Sequence, residues 1–179
     1  MKRSHAAVAI AWLALLAAPA APAHARLASH ATAPAFRAAT VDGATVDLRA
    51  LLARGPVVLD FWATWCHPCA QAMPSLERMH ERLGARGLTI VGVSVDGPRN
   101  FARVQPFARR MGLKFPIVRD EDGALQGLYQ VVEVPTTLVI APDGKVAAVF
   151  TGFRPGQDAE IEAAVEGLLG TAAVADSAR

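Results

Sequence analysis

A chain of 179 residues, 53% hydrophobic and 19% charged, is sized for one domain with a true core and one short additional segment. Its 18 Lys and Arg nearly balance 16 Asp and Glu, and no basic stripe interleaved with aromatics occurs, so nucleic-acid binding has no electrostatic support. The two cysteines lie three residues apart, which excludes a structural disulfide framework.

The chain opens with Lys2 and Arg3, an apolar run from Ala6 to Ala18, Pro19 and Pro22, and the small-residue site Ala23-His24-Ala25. That is the order of a secretory leader, and the run is shorter than the ~20 residues a membrane span needs. Residues 1–25 therefore read as a signal peptide cleaved before Arg26, which puts the mature protein in the periplasm; an uncleaved anchor is the alternative. Without Lys2 and Arg3 the basic count falls from 18 to 16, level with the acids. Outside the cytoplasm disulfides persist, so a lone Cys pair there is a redox device or must be kept reduced.

Residues 26–34 show no periodicity and read as a flexible lead. Phe36 to Leu48 holds two short runs around Val41-Asp42-Gly43-Ala44, a hairpin signal. Leu48 to Ala53 suits a short helix. Pro56 to Ala63 is a continuous apolar run with a single charge, the pattern of a central strand buried on both faces. From Pro68 to Leu83, Met73, Leu76, Met79 and Leu83 recur at helical spacing, and Pro74 within the helix is expected to kink it. Leu88–Val95 reads as a second buried strand. Asp96-Gly97-Pro98 breaks it and starts a helix to about Met111, with Arg99, Arg103, Arg109 and Arg110 on its wet side. A short strand at Phe115–Val118 and a short helix at Ala124–Tyr129 follow.

Thr136–Ala141 reads as a third long strand, turned by Pro142-Asp143-Gly144 into an antiparallel return from Lys145 to Thr151. A final helix from Gln157 to Leu169 shows Ile161, Val165 and Leu168 on one face. Residues 170–179 read as a disordered tail. The fold class is α/β: a mixed central sheet with helices on both faces and a hairpin extension before the first core strand. Strands separated by helices are expected to pair in parallel.

The chemistry lies in Trp65-Cys66-His67-Pro68-Cys69. The motif follows directly on the central strand and opens a helix, where open α/β sheets place their sites. A helix N-terminus stabilises a thiolate, so Cys66 is the expected nucleophile and Cys69, one turn deeper, the resolving thiol. His67 adds a possible cation beside Cys66, and Pro68 suits a first helical turn. Zinc would need further ligands, and covalent haem attachment needs His where Ala70 stands. No metal site and no cofactor are expected; the dithiol is itself the redox group. His80 reads as a surface histidine.

Taken together, Val58–Cys69, Pro74, Pro135-Thr136-Thr137 and Pro142-Asp143-Gly144 resemble the thioredoxin superfamily. More narrowly they resemble the exported TlpA/ResA-type thiol-disulfide oxidoreductases, over roughly residues 34–169. The resemblance implies a thioredoxin-like domain over 35–169. It implies a cis bond at Val134-Pro135, with the backbone of Val134 offered to an incoming peptide. It makes Trp65 the aromatic flanking the site, Trp62 a packing residue, and Asp60 a buried proton acceptor for the resolving thiol; a hydrogen-bonded structural acid is the other reading of Asp60. Two departures stand out. Ala72 occupies the position of a common family Glu, and Gln130–Pro135 lacks the usual glycines, leaving Glu133 at the cleft rim or in a solvated loop.

These readings predict a monomeric, exported enzyme that reduces disulfides in partner proteins, such as apocytochromes awaiting haem, and is regenerated by a membrane thiol donor. A disulfide-forming oxidant of the same fold is an alternative. So is a peroxiredoxin-like peroxidase, suggested by Val91–Asp96, although Ala63 and Leu59 stand where its frame needs Thr and Pro. A Cu(I)-binding module is a further alternative, since two thiolates suit that soft ion.

Overall fold

The computed structural model describes residues 29–177, with side chains through residue 170. The leader read at 1–25 and the start of the lead lie outside the described residues. The elements, in chain order, are β1 (Arg37–Ala39), β2 (Thr45–Asp47), α1 (Leu48–Leu52), β3 (Val57–Trp62), α2 (His67–Leu83), β4 (Thr89–Ser94), α3 (Val104–Arg110), β5 (Ile117–Arg119), α4 (Ala124–Leu128), β6 (Thr136–Ile140), β7 (Val146–Thr151) and α5 (Gln157–Ser177). The core strands form one sheet in the order β5-β4-β3-β6-β7, and β1 and β2 form a separate antiparallel hairpin.

Every residue of β3 and β4 is buried, as a continuous apolar run requires of strands covered on both sides. Strand alternation divides β3 between two cores. Val58 and Trp62 join residues of α2, α3 and α5, whereas Val57, Leu59 and Phe61 join α1, α4 and the hairpin. Helices thus cover both faces of a mixed sheet. In α5, Ile161, Val165 and Leu169 are the buried apolar positions among the described side chains, with Leu169 rather than Leu168 completing the stripe.

One expectation about topology fails. β3 pairs in parallel with β4, and β4 with β5, but β6 runs antiparallel to β3 although α4 precedes it. The reason is length. The connection from Arg119 to Thr136 has residues enough for a crossover. Its helix α4, however, has five residues and rises only about 7.5 Å, less than half the roughly 20 Å length of a six-residue strand such as β3. The register shows the consequence: Arg119 at the end of β5 aligns with Ser94, Ser94 with Trp62, and Thr136 enters opposite Phe61. The chain crosses over one end of the sheet and re-enters at that same end, where β3 hands over to α2.

Other boundaries move for local reasons. The helix expected from Gly97 to Met111 is a 3-10 turn at Phe101–Arg103 followed by α3. Pro106 falls in the first turn of α3, where a missing N–H costs nothing. The lead is not free where it is described: the His30 N–H donates to the Val146 carbonyl (2.7 Å), Val146 N–H to Ala31 (2.9 Å) and Ala33 N–H to Gly144 (2.8 Å). The last helix does not stop at Leu169 but continues to Ser177, through most of the expected tail. α2 runs unbroken through Pro74.

Candidate active site

β3 delivers the chain to Ala63, and four residues later α2 begins. That loop is pinned by an acid from the neighbouring strand's end. Asp96 accepts from the Thr64 N–H (2.9 Å) and the Thr64 hydroxyl (2.6 Å), and from the Ser94 hydroxyl (3.0 Å). It is fully buried, and these bonds satisfy both of its oxygens. Asp96 read in the sequence only as a strand breaker. Its signal was present, in the form of an acid closing an apolar strand, but its partner lies 32 residues away.

Cys66 is the N-cap of α2: its sulfur accepts from the Cys69 N–H at 3.2 Å. Helix N-termini leave several N–H groups without intrahelical partners, and here a sulfur takes one. Cys66 and Cys69 are disulfide-bonded, with Cα atoms 5.3 Å apart. Cys66 is 5% exposed and Cys69 1%, so the second sulfur lies deeper. His67 and Pro68 are exposed on the first turn, and Trp65 is 63% exposed beside the pair.

Asp60 lies in the middle of β3, on the face of Val58 and Trp62 that α2 covers with Cys69 and Met73. Its strand neighbours are Gly92 and Thr137. The Thr137 hydroxyl donates to Asp60 Oδ1 at 2.8 Å. Burial pushes the carboxyl up to about 7, against the smaller opposing pull of Thr137. Gly92 has its own reason: a Cβ there would lie 2.9 Å from Trp62 Nε1 and 3.2 Å from Phe115, so only glycine leaves room for the indole. Trp62 is fully buried and stacks on Phe107 at 5.3 Å.

The Val134–Pro135 peptide bond is cis. Pro135 is buried, and half-buried Val134 packs against the cluster that contains both cysteines. Pro135, Ala72, Thr137 and Phe153 line one depression. Ala72 therefore opens on the groove in front of β6. Glu133 is exposed on the approach to Val134, and its carbonyl accepts from the Thr136 hydroxyl at 2.8 Å. His80 is half-buried on the boundary of its helix, its ring edge-on to Phe115 at 6.1 Å.

Topology thus gathers Cys66, Cys69, Trp65, His67, Pro68, Val134 and Pro135 at one end of the sheet, with Asp60 inside β3 on the face that α2 covers. Thr137 belongs to the Pro135-Thr136-Thr137 motif recognised in the sequence, but its role was not legible there: only the β3–β6 register reveals which threonine faces the acid. Among the described residues no group of His, Cys, Asp and Glu is arranged to hold a metal ion.

Residues 30–149 match the family model AhpC/TSA family. The thiol-disulfide oxidoreductase ResA of Oceanobacillus iheyensis is 38% identical over 63% of this chain, and the match spans 57% of that protein's length. Among solved structures, a Chlorobium tepidum protein assigned as thiol:disulfide interchange protein DsbE is 31% identical, over 80% of this chain and 99% of its own, with a TM-score of 0.73. A secreted Mycobacterium tuberculosis disulfide oxidoreductase homologous to DsbE is 28% identical over 74% of this chain and 96% of its own, with a TM-score of 0.64.

Proposed function

The chain belongs to the AhpC/TSA family, and on that premise we propose that it is an exported thiol-disulfide oxidoreductase that reduces disulfides in partner proteins. The observation that carries the reading is the Cys66 sulfur at the mouth of α2, accepting the Cys69 N–H, with Cys69 one turn deeper. In the reduced protein the same N–H and the helix dipole favour a thiolate at Cys66. That thiolate attacks one sulfur of a partner disulfide. A mixed disulfide forms and one partner thiolate leaves.

Cys69 then loses its proton, with Asp60 as the acceptor on the same buried face, and attacks Cys66 Sγ. The Cys66–Cys69 disulfide closes and the second partner thiolate leaves and is protonated. Two electrons have passed from the enzyme dithiol to the partner. A dithiol donor at the membrane returns them. Val134, before the cis-proline, offers its backbone to the partner chain, and Trp65, His67 and Pro68 form the exposed rim that the partner meets. Apocytochromes awaiting haem are one partner class that this reading accommodates. Export is supported by the leader-like start and by the secreted relative.

Substitution of each cysteine tests the mechanism. Cys66→Ser is expected to abolish reduction of insulin disulfides. Cys69→Ser is expected to accumulate a mixed disulfide visible by mass spectrometry. Undiminished turnover of the first variant would refute the assignment of the nucleophile. The direction of transfer follows from the potential, about −270 mV for a reductant of the thioredoxin kind against about −120 mV for a strong oxidant. Equilibration with glutathione measures it, and a value near the second would convert the reading to disulfide formation.

A further inference from the structure

Next in sequence to Cys66, Thr64 and Trp65 line a second groove, which shares no lining residue with the depression at Pro135. Thr64 and Trp65 form its wall next to the cysteine, and Arg103, Phe107 and Arg110 form the other. Thr64 and Trp65 immediately precede Cys66. The groove is therefore within reach of residues flanking a cysteine bonded to the Cys66 sulfur, at about 3.3–3.6 Å per residue.

The groove is positively charged without compensation. Arg103 and Arg110 are exposed, and neither makes an ion pair among the described residues. Elsewhere Arg82, Arg86, Arg119 and Arg154 each pair with a glutamate. Asp96, which holds Thr64 of this groove, is buried and committed to Thr64 and Ser94. Arg110 is also held in place: its guanidinium lies 5.0 Å over the Phe107 ring, and Phe107 stacks on Trp62. A cation over a ring keeps its N–H donors free for another partner. Arg99 and Arg109 add exposed charge on the same segment. Guanidinium groups without carboxylates, beside an exposed tryptophan at a reactive sulfur, match a chain that brings its own carboxylates.

We propose that this groove seats acidic residues flanking the substrate cysteine, so that the enzyme's preferred substrates are protein disulfides with Asp or Glu within about two residues of the attacked sulfur. The proposal deepens the disulfide-exchange reading above and rests on it.

Three short peptides test it, each carrying one cysteine as a mixed disulfide with thionitrobenzoate and flanked by Asp, Ser or Lys. Attack of reduced full-length protein on the peptide sulfur forms the enzyme–peptide disulfide and releases the coloured thiolate. The Asp peptide is expected to react about tenfold faster than the Ser peptide at low ionic strength, and the Lys peptide more slowly than both. The Asp-to-Ser ratio should fall toward one near 1 M salt, where the screening length is about 3 Å. In the double variant Arg103→Glu, Arg110→Glu the order should invert, whereas Arg49→Glu, in α1 under the opposite sheet face, should keep it. Equal rates for the three peptides, or an Asp preference that survives the double reversal, would overturn the groove assignment alone. Failure of the unaltered protein to react with the Ser peptide would overturn the exchange mechanism itself.

Discussion

Asp60 carries a carboxyl 1% exposed to water, with one hydroxyl for company. Desolvation disfavours its charged form, which places its titration at about 7 instead of the ordinary 3.8. A base is useful only when deprotonated, so release of the mixed disulfide should accelerate as pH rises through about 7. Asp60→Asn should flatten that rise and leave the pH dependence of Cys66 alkylation largely in place. A stopped-flow rate profile unchanged by the substitution would assign Asp60 to structure alone. The same shift acts on stability, with a definite sign. Between pH 4 and 7 the folded protein holds a proton that the unfolded chain has lost, so stability falls as pH rises across that window. The loss amounts to at most about 4 kcal/mol above pH 7, from 1.36 kcal/mol per unit. Asn at position 60 can still accept from Thr137. We expect Asp60→Asn to unfold with the parent at pH 4 but to be more stable by roughly 2–4 kcal/mol at pH 8.

At the scale of elements, the site is a joint between β3 and α2, and the joint is held from outside. The four-residue passage from Ala63 to Cys66 owes its shape to Asp96, at the end of β4. Removing that carboxylate leaves the Thr64 N–H and the buried Ser94 hydroxyl without their acceptor. Asp96→Ala should therefore cost about 2–3 kcal/mol in chemical denaturation, the penalty of stranded buried donors. It should also slow attack by Cys66, because the sulfur's position as helix cap depends on that loop. Loss of stability with an unaltered alkylation rate would separate the two roles. The brevity of α4 is the second constraint at this scale. A longer helix there would have sent β6 in at the opposite end of the sheet and taken Pro135 away from the cysteines.

For the molecule as a whole, chain that precedes the core pairs with part of each sheet edge. The hairpin joins β5 through Thr40 and Val118, and Val41 N–H donates to Ile117 at 2.8 Å. At the other edge residues 30–33 pair with 144–146. Covered edges resist pairing with foreign strands. The second closure lies near Ile140 and Val57, at the amino end of β3, remote from the cysteines. A chain starting at residue 34 should lose about 1–3 kcal/mol, from the hydrogen bonds removed. Its Cys66–Cys69 potential should stay that of the parent. A shifted potential would show that the edge and the redox site communicate.

What the residues in order determined is local chemistry and periodicity. Two thiols at helical spacing after an apolar strand with a single charge point to a redox pair at a strand end. The Asp42-Gly43 hairpin, the buried β3 and the amphipathic stripe of α2 are equally local, because turn preference and side-chain alternation act over a few residues. Tertiary structure decided which distant groups meet. The register of β3 against β6 selected Thr137 as partner to Asp60, and α4 set the direction of β6. The span between Thr64 and Asp96 fixed the joint, and folding placed the unpaired arginines of the α3 segment beside Trp65. Each of these depends on contacts between residues far apart in the chain, and no local pattern carries that information.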